Sequence, residues 1–425
     1  MRKKRIVLIG LDGVPYGLVD DLAERGTMPN FQAIKKQGSF VKIKAPLPAV
    51  SSVSWSSIIT GENPGAHGIY GFTDLALNSY NLFFPNFNDL KVSAFWQKHP
   101  ELKQVVLNVP STYPVKPMNG VHLAGFVSPN MEEAVFPAKY LPKLQEMKYE
   151  IDVDSELAHQ DISLFLEDLF QTTESRIAAF RYFWGEIDWD VFWLVFTGSD
   201  RLGHFLFDAY VNQNHQYRSA FLRYFQRVDE VIGEITNRLN EEDLLLIFSD
   251  HGMTESKANV NVNYFLMENG FLEVDKSRGE FYNQISLKTT AFALDPGRIY
   301  LNKKGKYPAG AVEENDLGKV LKELSDVFLR MDFQGQKIIK QVCRQEEIYS
   351  GPQLNRAPDL LLVENPGFRL RAGLGKKELF DKDIFTGTHT ADDGFLLVKP
   401  PQAVDISLAN PKVEDIIGIV EKAII

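Results

Sequence analysis

Cysteine is almost missing from this chain: Cys343 is the one example in 425 residues. A single thiol excludes an internal disulfide framework and any zinc knuckle built on cysteine pairs. Basic clusters are missing too, apart from Met1-Arg-Lys-Lys-Arg5, and 56 acidic residues outweigh 46 Lys and Arg for a formal net charge of −10. Polyanion binding rests on clustered cations that neutralise phosphates, so no nucleic-acid polymer is expected as a partner. No stretch approaches the ~20 apolar residues that span a bilayer. The basic start and the apolar run Ile6–Leu11 imitate a signal peptide, but the run stops at Asp12 after six residues and no small-residue cleavage site follows. The expectation is a cytoplasmic protein with no membrane partner. Internal repeats and low-complexity tracts are also absent.

What is present is an ordinary globular balance, 44% hydrophobic and 24% charged, over a length that supports a large core. Short apolar runs of strand size recur at Ile6–Leu11, Val105–Val109, Val191–Phe196, Leu244–Phe248, Leu360–Val363 and Phe395–Val398. Helical patterns lie between them: Leu18, Val19 and Leu22 before Gly26, Phe31 and Ile34 before Gly38, then Ile162 through Trp184 and Phe205 through Leu239. This alternation predicts an α/β fold with a mostly parallel central sheet flanked by helices on both faces. Residues 256–355 break the rhythm with a short strand at Arg298–Leu301, the turn Asn302-Lys-Lys-Gly-Lys306 and an amphipathic helix near Asp316–Met331. The domain expectation is therefore a catalytic core of 1–255 and 356–425 with an inserted α+β cap at 256–355.

Three of the strands lead into carboxylates: Asp12, Asp200 and Asp250. In open α/β sheets ligands bind at the carboxyl ends of strands. Three carboxylates at one edge repel each other unless a cation sits among them. Histidines accompany them: His204 is four residues after Asp200 on a helical pattern, His251 is adjacent to Asp250, and His389 precedes a buried strand. Oxygen and imidazole donors suit zinc, manganese or iron. Taken singly, an Asp-x-x-x-His pair is more often a surface ion pair, and Asp-His-Gly more often a turn. Their joint order and placement point to metal. A hydroxyl-rich segment supplies serines at 51, 52, 54, 56 and 57. Serines cap helix starts, and a serine at a helix N-terminus beside a cation is also a nucleophile for phosphorus.

These residues resemble the alkaline phosphatase superfamily, in particular its type I phosphodiesterase/nucleotide pyrophosphatase branch. The resemblance spans most of the chain: Leu11-Asp-Gly13, Ser57-Ile-Ile-Thr-Gly61 with Asn63-Pro64 and His67-Gly-Ile69, Thr197-Gly-Ser-Asp-Arg-Leu-Gly-His204, Ser249-Asp-His-Gly252 and Gly387-Thr-His389. It implies two divalent cations, zinc first with manganese or iron as alternatives. Asp12, Asp250 and His251 would hold one beside the nucleophile, and Asp200, His204 and His389 the other. The family's nucleophile, six positions before the serine matching Ser57, falls on Ser51, with Ser52 as runner-up. Where nucleotide pyrophosphatases carry Asn three residues after the nucleophile, this chain has Ser54. The implied activity is in-line hydrolysis of a small phosphorylated substrate through a phosphoseryl intermediate, preferring phosphodiesters or nucleotide pyrophosphate bonds. A phosphomonoesterase or cofactor-independent phosphomutase is the alternative, and a catalytically inactive metal-binding protein stands behind both. The Cys/Ser-x-Pro-x-Arg run of sulfatases does not occur around 51–57.

Overall fold

A computed structural model describes residues 4–401 and 409–424; Met1 to Lys3 of the basic start lie outside the described residues. The chain divides into two compact units, one of Met1–Glu62, Asn86–Glu255 and Ile384–Ile425, the other of Asn63–Pro85 and Ser256–Asp383.

The first unit is built on an eight-stranded sheet. Its order is Ser39–Ile43, Gly394–Lys399, Leu244–Phe248, Ile6–Leu11, Val191–Phe196, Gln104–Val109, Gly120–Ala124 and Val135–Phe136. The strands from Leu244–Phe248 to Gly120–Ala124 pair in parallel, and antiparallel partners flank them. The runs are apolar throughout because both faces are covered. Val7, Ile9, Phe192 and Leu194 enter one core with the helices Tyr16–Glu24, Ile162–Glu186 and Arg218–Thr236. Ile6, Leu8, Trp193 and Val195 enter the other with the helices Ser51–Thr60 and Asp415–Ile424. This is the expected α/β architecture: a mostly parallel sheet with helices on both sides.

Two local expectations change. The strand Gly394–Lys399 runs antiparallel to Leu244–Phe248, a direction that an apolar run does not encode. The long helical pattern from Phe205 splits into Gly198–Val211 and Arg218–Thr236, interrupted where polar Asn212-Gln-Asn-His215 has no apolar face to bury. Among the described residues, no helix is long and apolar enough to cross a membrane.

The second unit has its own core, in which Phe292, Ile299, Leu324, Phe328, Leu360 and Phe368 pack together. Its four-stranded sheet orders Ala291–Leu294, Arg298–Leu301, Leu360–Glu364 and Ile339–Arg344, all antiparallel. The strand at 360–364 thus completes this sheet and does not resume the parallel one. A short buried strand looks alike in either setting, and only its partners tell them apart. The amphipathic helix occupies Leu317–Phe328. The segment expected as the insertion, 256–355, falls inside this unit, which continues to Asp383 and takes in Asn63–Pro85.

Candidate metal centre and nucleophile

Parallel pairing brings the three carboxylates together. Leu244–Phe248, Ile6–Leu11 and Val191–Phe196 lie side by side in register, so their carboxyl ends deliver Asp250, Asp12 and the helix start bearing Asp200 to one edge. All three side chains are buried. Gly13 makes the crossing feasible: its φ is +68°, and a Cβ there would stand 2.7 Å from Asp200 Oδ1. Its amide donates to Asp250 Oδ1 at 3.1 Å.

The histidines arrive from three elements. His251 follows Asp250 directly, and the strand Gly252–Glu255 after it pairs with Gly387–Thr390, placing Met253 opposite His389. His204 sits one turn beyond Asp200 on the helix Gly198–Val211. That helix presses on the 387–390 strand so closely that a Cβ on Gly387 would meet the Gly203 carbonyl at 2.3 Å. As a result, His204 Nε2 and His389 Nε2 are 2.9 Å apart, and they stand 3.4 and 3.3 Å from Asp200 Oδ1. His251 Nε2 lies 3.4 Å from Asp250 Oδ2 and 3.8 Å from Asp12 Oδ1.

The hydrogen bonds behind these rings decide their chemistry. His251 Nδ1 faces the Gly252 carbonyl at 3.0 Å, His204 Nδ1 that of Gly387 at 3.2 Å, and His389 Nδ1 that of Ala49 at 2.9 Å. A carbonyl only accepts, so each Nδ1 carries the proton and each Nε2 turns a lone pair toward the carboxylates. Burial holds the His251 and His389 pKa values below the ordinary range, with His251 adding to the effect at His389, which favours neutral imidazoles.

Among the carboxylates, burial and then the charges of Asp250 and Asp200 push Asp12 well above its usual range, and burial pushes Asp250 to about 7. Asp200 goes the other way: burial opposes its charge, but His204 and His389, whenever they carry a second proton, together with Arg201, hold it well below the usual range. Asp200 Oδ1 and Asp250 Oδ2, the oxygens that face the imidazoles, accept no hydrogen bond among the described residues. Buried carboxylate oxygens without donors, opposed by imidazole lone pairs, form a donor set that divalent cations fit. Two overlapping groups, Asp12 with Asp250 and His251, and Asp200 with His251 and His389, each bring their ligand atoms within 4.8 Å of one another.

Ser51 opens the helix Ser51–Thr60 beside this cluster. Its Oγ donates to Asp12 Oδ1 at 3.2 Å and is 3.2 Å from His251 Nε2. Among the described residues, the hydroxyl of Ser52 has no hydrogen-bond partner and neither does that of Ser54, and both are buried. The structure thus brings all seven sequence-predicted residues into one constellation, entirely within the first unit.

Three residues escaped the sequence reading. Trp55 Nε1 donates to Asp12 Oδ2 at 3.0 Å; its four-residue spacing from Ser51 was the available signal. Arg201, which by sequence could reach a phosphate or equally point into solvent, reaches Asp200 Oδ2 with Nη1 at 3.2 Å. Asp152, in a segment with no motif, takes Arg201 Nη2 at 2.7 Å. His67, which lies in the second unit, is buried and accepts the amide of Ile69 on Nδ1 at 3.1 Å, closing a short helix before Gly68.

The profile described as Type I phosphodiesterase / nucleotide pyrophosphatase matches residues 6–392. Among solved structures, phosphonoacetate hydrolase from Sinorhizobium meliloti 1021, in complex with phosphonoacetate, superposes with a TM-score of 0.67 at 16% identity, covering 99% of this chain and 96% of that one. An inactive form of murine ectonucleotide pyrophosphatase / phosphodiesterase 5 in complex with AMP gives 0.58 at 13% identity, covering 99% and 95%. The human form of the latter gives 0.55 at 14%, covering 98% and 94%. These likenesses are of fold. No curated protein sequence matches the chain. With its profile match running through nearly the whole sequence, the chain belongs to the type I phosphodiesterase / nucleotide pyrophosphatase family.

Proposed function

We propose that this protein is a metal-dependent phosphoester hydrolase that cleaves phosphodiesters or nucleotide pyrophosphate bonds in small substrates, with Ser51 as nucleophile. One observation carries the reading: at the start of a helix, Ser51 Oγ contacts both Asp12 Oδ1 and His251 Nε2, two of the residues that would hold a cation. Asp12, Asp250 and His251 would hold one cation, and Asp200, His204 and His389 the other, zinc first with manganese or iron as alternatives. Bound cations there supply the positive charge that favours an ionised oxygen nucleophile and offsets charge on the transferring phosphoryl group.

The chain's own residues do the rest. Ser51 gives its proton to water, its Oγ bonds to phosphorus, and the bond from phosphorus to the leaving oxygen breaks, the oxygen departing with the bonding pair and taking up a proton from water. Water then attacks the phosphoseryl group in line, the Oγ–phosphorus bond breaks, and the Ser51 hydroxyl is restored. Asp12 fixes Ser51 from one side, and the helix N-terminus that Ser51 opens favours negative charge on phosphoryl oxygens beside it. The inserted segment, as a cap that selects the substrate, belongs to the same proposal.

The test pairs bis-p-nitrophenyl phosphate with p-nitrophenyl phosphate, using metal-reconstituted protein and a chelated control. Phosphonoacetate and an AMP-releasing dinucleotide extend the panel, following the ligands of the similar structures. Chelator-sensitive diester turnover that Ser51→Ala abolishes is the expected result. Monoester preference would move the assignment to a phosphatase or mutase, and Ser51→Ala at wild-type rate would remove the nucleophile.

A further inference from the structure

Asp200 presents two oxygens in unlike settings. Oδ1 faces the imidazoles of His204 and His389 and accepts no hydrogen bond among the described residues, whereas Oδ2 receives Arg201 Nη1 at 3.2 Å. Arg201 is itself tied down: Nε and Nη2 both donate to Asp152 Oδ2, at 3.2 and 2.7 Å, and its guanidinium lies 4.5 Å from the Phe126 ring centre. Asp152 is anchored in turn. Its Oδ1 accepts Thr197 Oγ1 at 3.3 Å, and that hydroxyl accepts Arg176 Nη1 at 3.1 Å. The buried Arg176 also donates Nη2 to the carbonyl of Ile151, next to Asp152, at 2.7 Å. An unbroken run of charge-assisted bonds thus leads from a fixed segment to the outer oxygen of a carboxylate whose inner oxygen is free.

We infer that Asp152 and Arg201 are a positioning pair that occupies Asp200 Oδ2, so that Asp200 meets its cation through Oδ1 alone, in line with His204 and His389. The inference rests on the two-cation reading proposed above. A carboxylate without such a partner can rotate and offer either oxygen or both. Groups that orient a metal ligand are worth ten- to hundredfold in metal affinity. The fork of Arg201 suits this task, since it spans two carboxylates with fixed planar geometry that an ammonium cannot copy. Without it, Asp152 and Asp200 would also face each other as uncompensated like charges.

The experiment is a titration of the metal-stripped full chain with Zn2+ against a chromophoric chelator, which reads affinity independently of turnover. The wild-type chain should bind two Zn2+. Arg201→Gln should weaken one site ten- to hundredfold and leave the other within about threefold, and the retained site reports that the variant is folded. The isosteric Asp152→Asn should weaken the same site in the same direction, and it decides the matter should Arg201→Gln fail to fold. The double variant should be no weaker than Arg201→Gln, because both changes act through one contact. Arg201→Lys should recover only part of the loss. Two-site binding that Arg201→Gln or Asp152→Asn leaves unchanged, or complete rescue by lysine, overturns the positioning role alone. Fewer than two Zn2+ on the wild-type chain overturns this inference together with the two-cation reading.

Discussion

Replacing Trp55 by Phe should lower kcat/KM about ten- to hundredfold in a protein that still folds. Asp12 is fully buried and each of its oxygens has one donor: Ser51 Oγ at Oδ1, and the Trp55 indole N–H at Oδ2, 3.0 Å away. Phenylalanine retains the ring packing against Phe248 but has no donor, so Oδ2 loses its partner where water does not reach. A hydrogen bond to a charged group contributes roughly 1.5–3 kcal/mol, and about 1.4 kcal/mol is a factor of ten in rate. The carboxylate that holds Ser51, the proposed nucleophile, would also be pushed further toward its protonated form, since the indole is one of the influences that lower its pKa. Shrinking the ring has a separate packing cost, so the comparison needs a variant that loosens the same helix without touching Asp12. Ile58→Val does this, deleting one buried methylene for roughly 0.5–1.5 kcal/mol. Diester turnover and thermal melting of both variants at saturating Zn2+ make the test. A Trp55→Phe protein whose kcat/KM stays within twofold of Ile58→Val would refute the role given to the indole.

Other consequences follow from the same geometry. His251→Ala should abolish diester turnover and remove one of two bound Zn2+; full turnover would contradict the ligand assignment. Gly10→Ala should destabilise the protein by about 1–3 kcal/mol in thermal melting and cut turnover, because the new Cβ would stand 2.4 Å from Trp55 Cη2 in a packed core. Burial holds the pKa of His122 at about 3 against an ordinary 6.5, and neither ring nitrogen has a hydrogen-bond partner among the described residues. The unfolded chain therefore binds a proton that the folded one refuses between those values. The stability this lends is whole above pH 6.5 and falls by about 1.4 kcal/mol per pH unit as pH drops toward 3. His122→Phe should flatten that part of the pH profile in urea unfolding at pH 7 and 5; an unchanged slope would mean that this ring is not the group being charged.

Much of the core was legible because its signals are local. Fully apolar six-residue runs such as Val191–Phe196 can only be covered on both faces, and the intervening helical spacing says what covers them. The candidate site left a related signal: Asp12, Asp200 and Asp250 each follow such a run with histidines close by, whereas Ser51 stands apart from its neighbouring serines only through the family resemblance. Pairing partners are not local. The run at 360–364 has the same makeup as the central strands, yet its neighbours are Arg298–Leu301 and Ile339–Arg344, so it belongs to the second unit's sheet. Nor does an apolar run carry a direction, which is why the antiparallel course of Gly394–Lys399 emerged only with its partners.

The supporting contacts are the least readable of all. Asp152 and Arg201 are 49 positions apart, and Trp55 and Asp12 are 43 apart. Nothing in either member's neighbourhood marks the other. The sequence by itself determined which residues can bear charge, bind a cation or attack phosphorus, because those capacities are set by side-chain chemistry. Only the tertiary structure decided which oxygen of Asp200 is free and which serine touches Asp12, and it alone turned three Nε2 atoms toward the same acids. Those are matters of distance and direction, and distances between remote residues exist only once the sheet has brought its strands side by side.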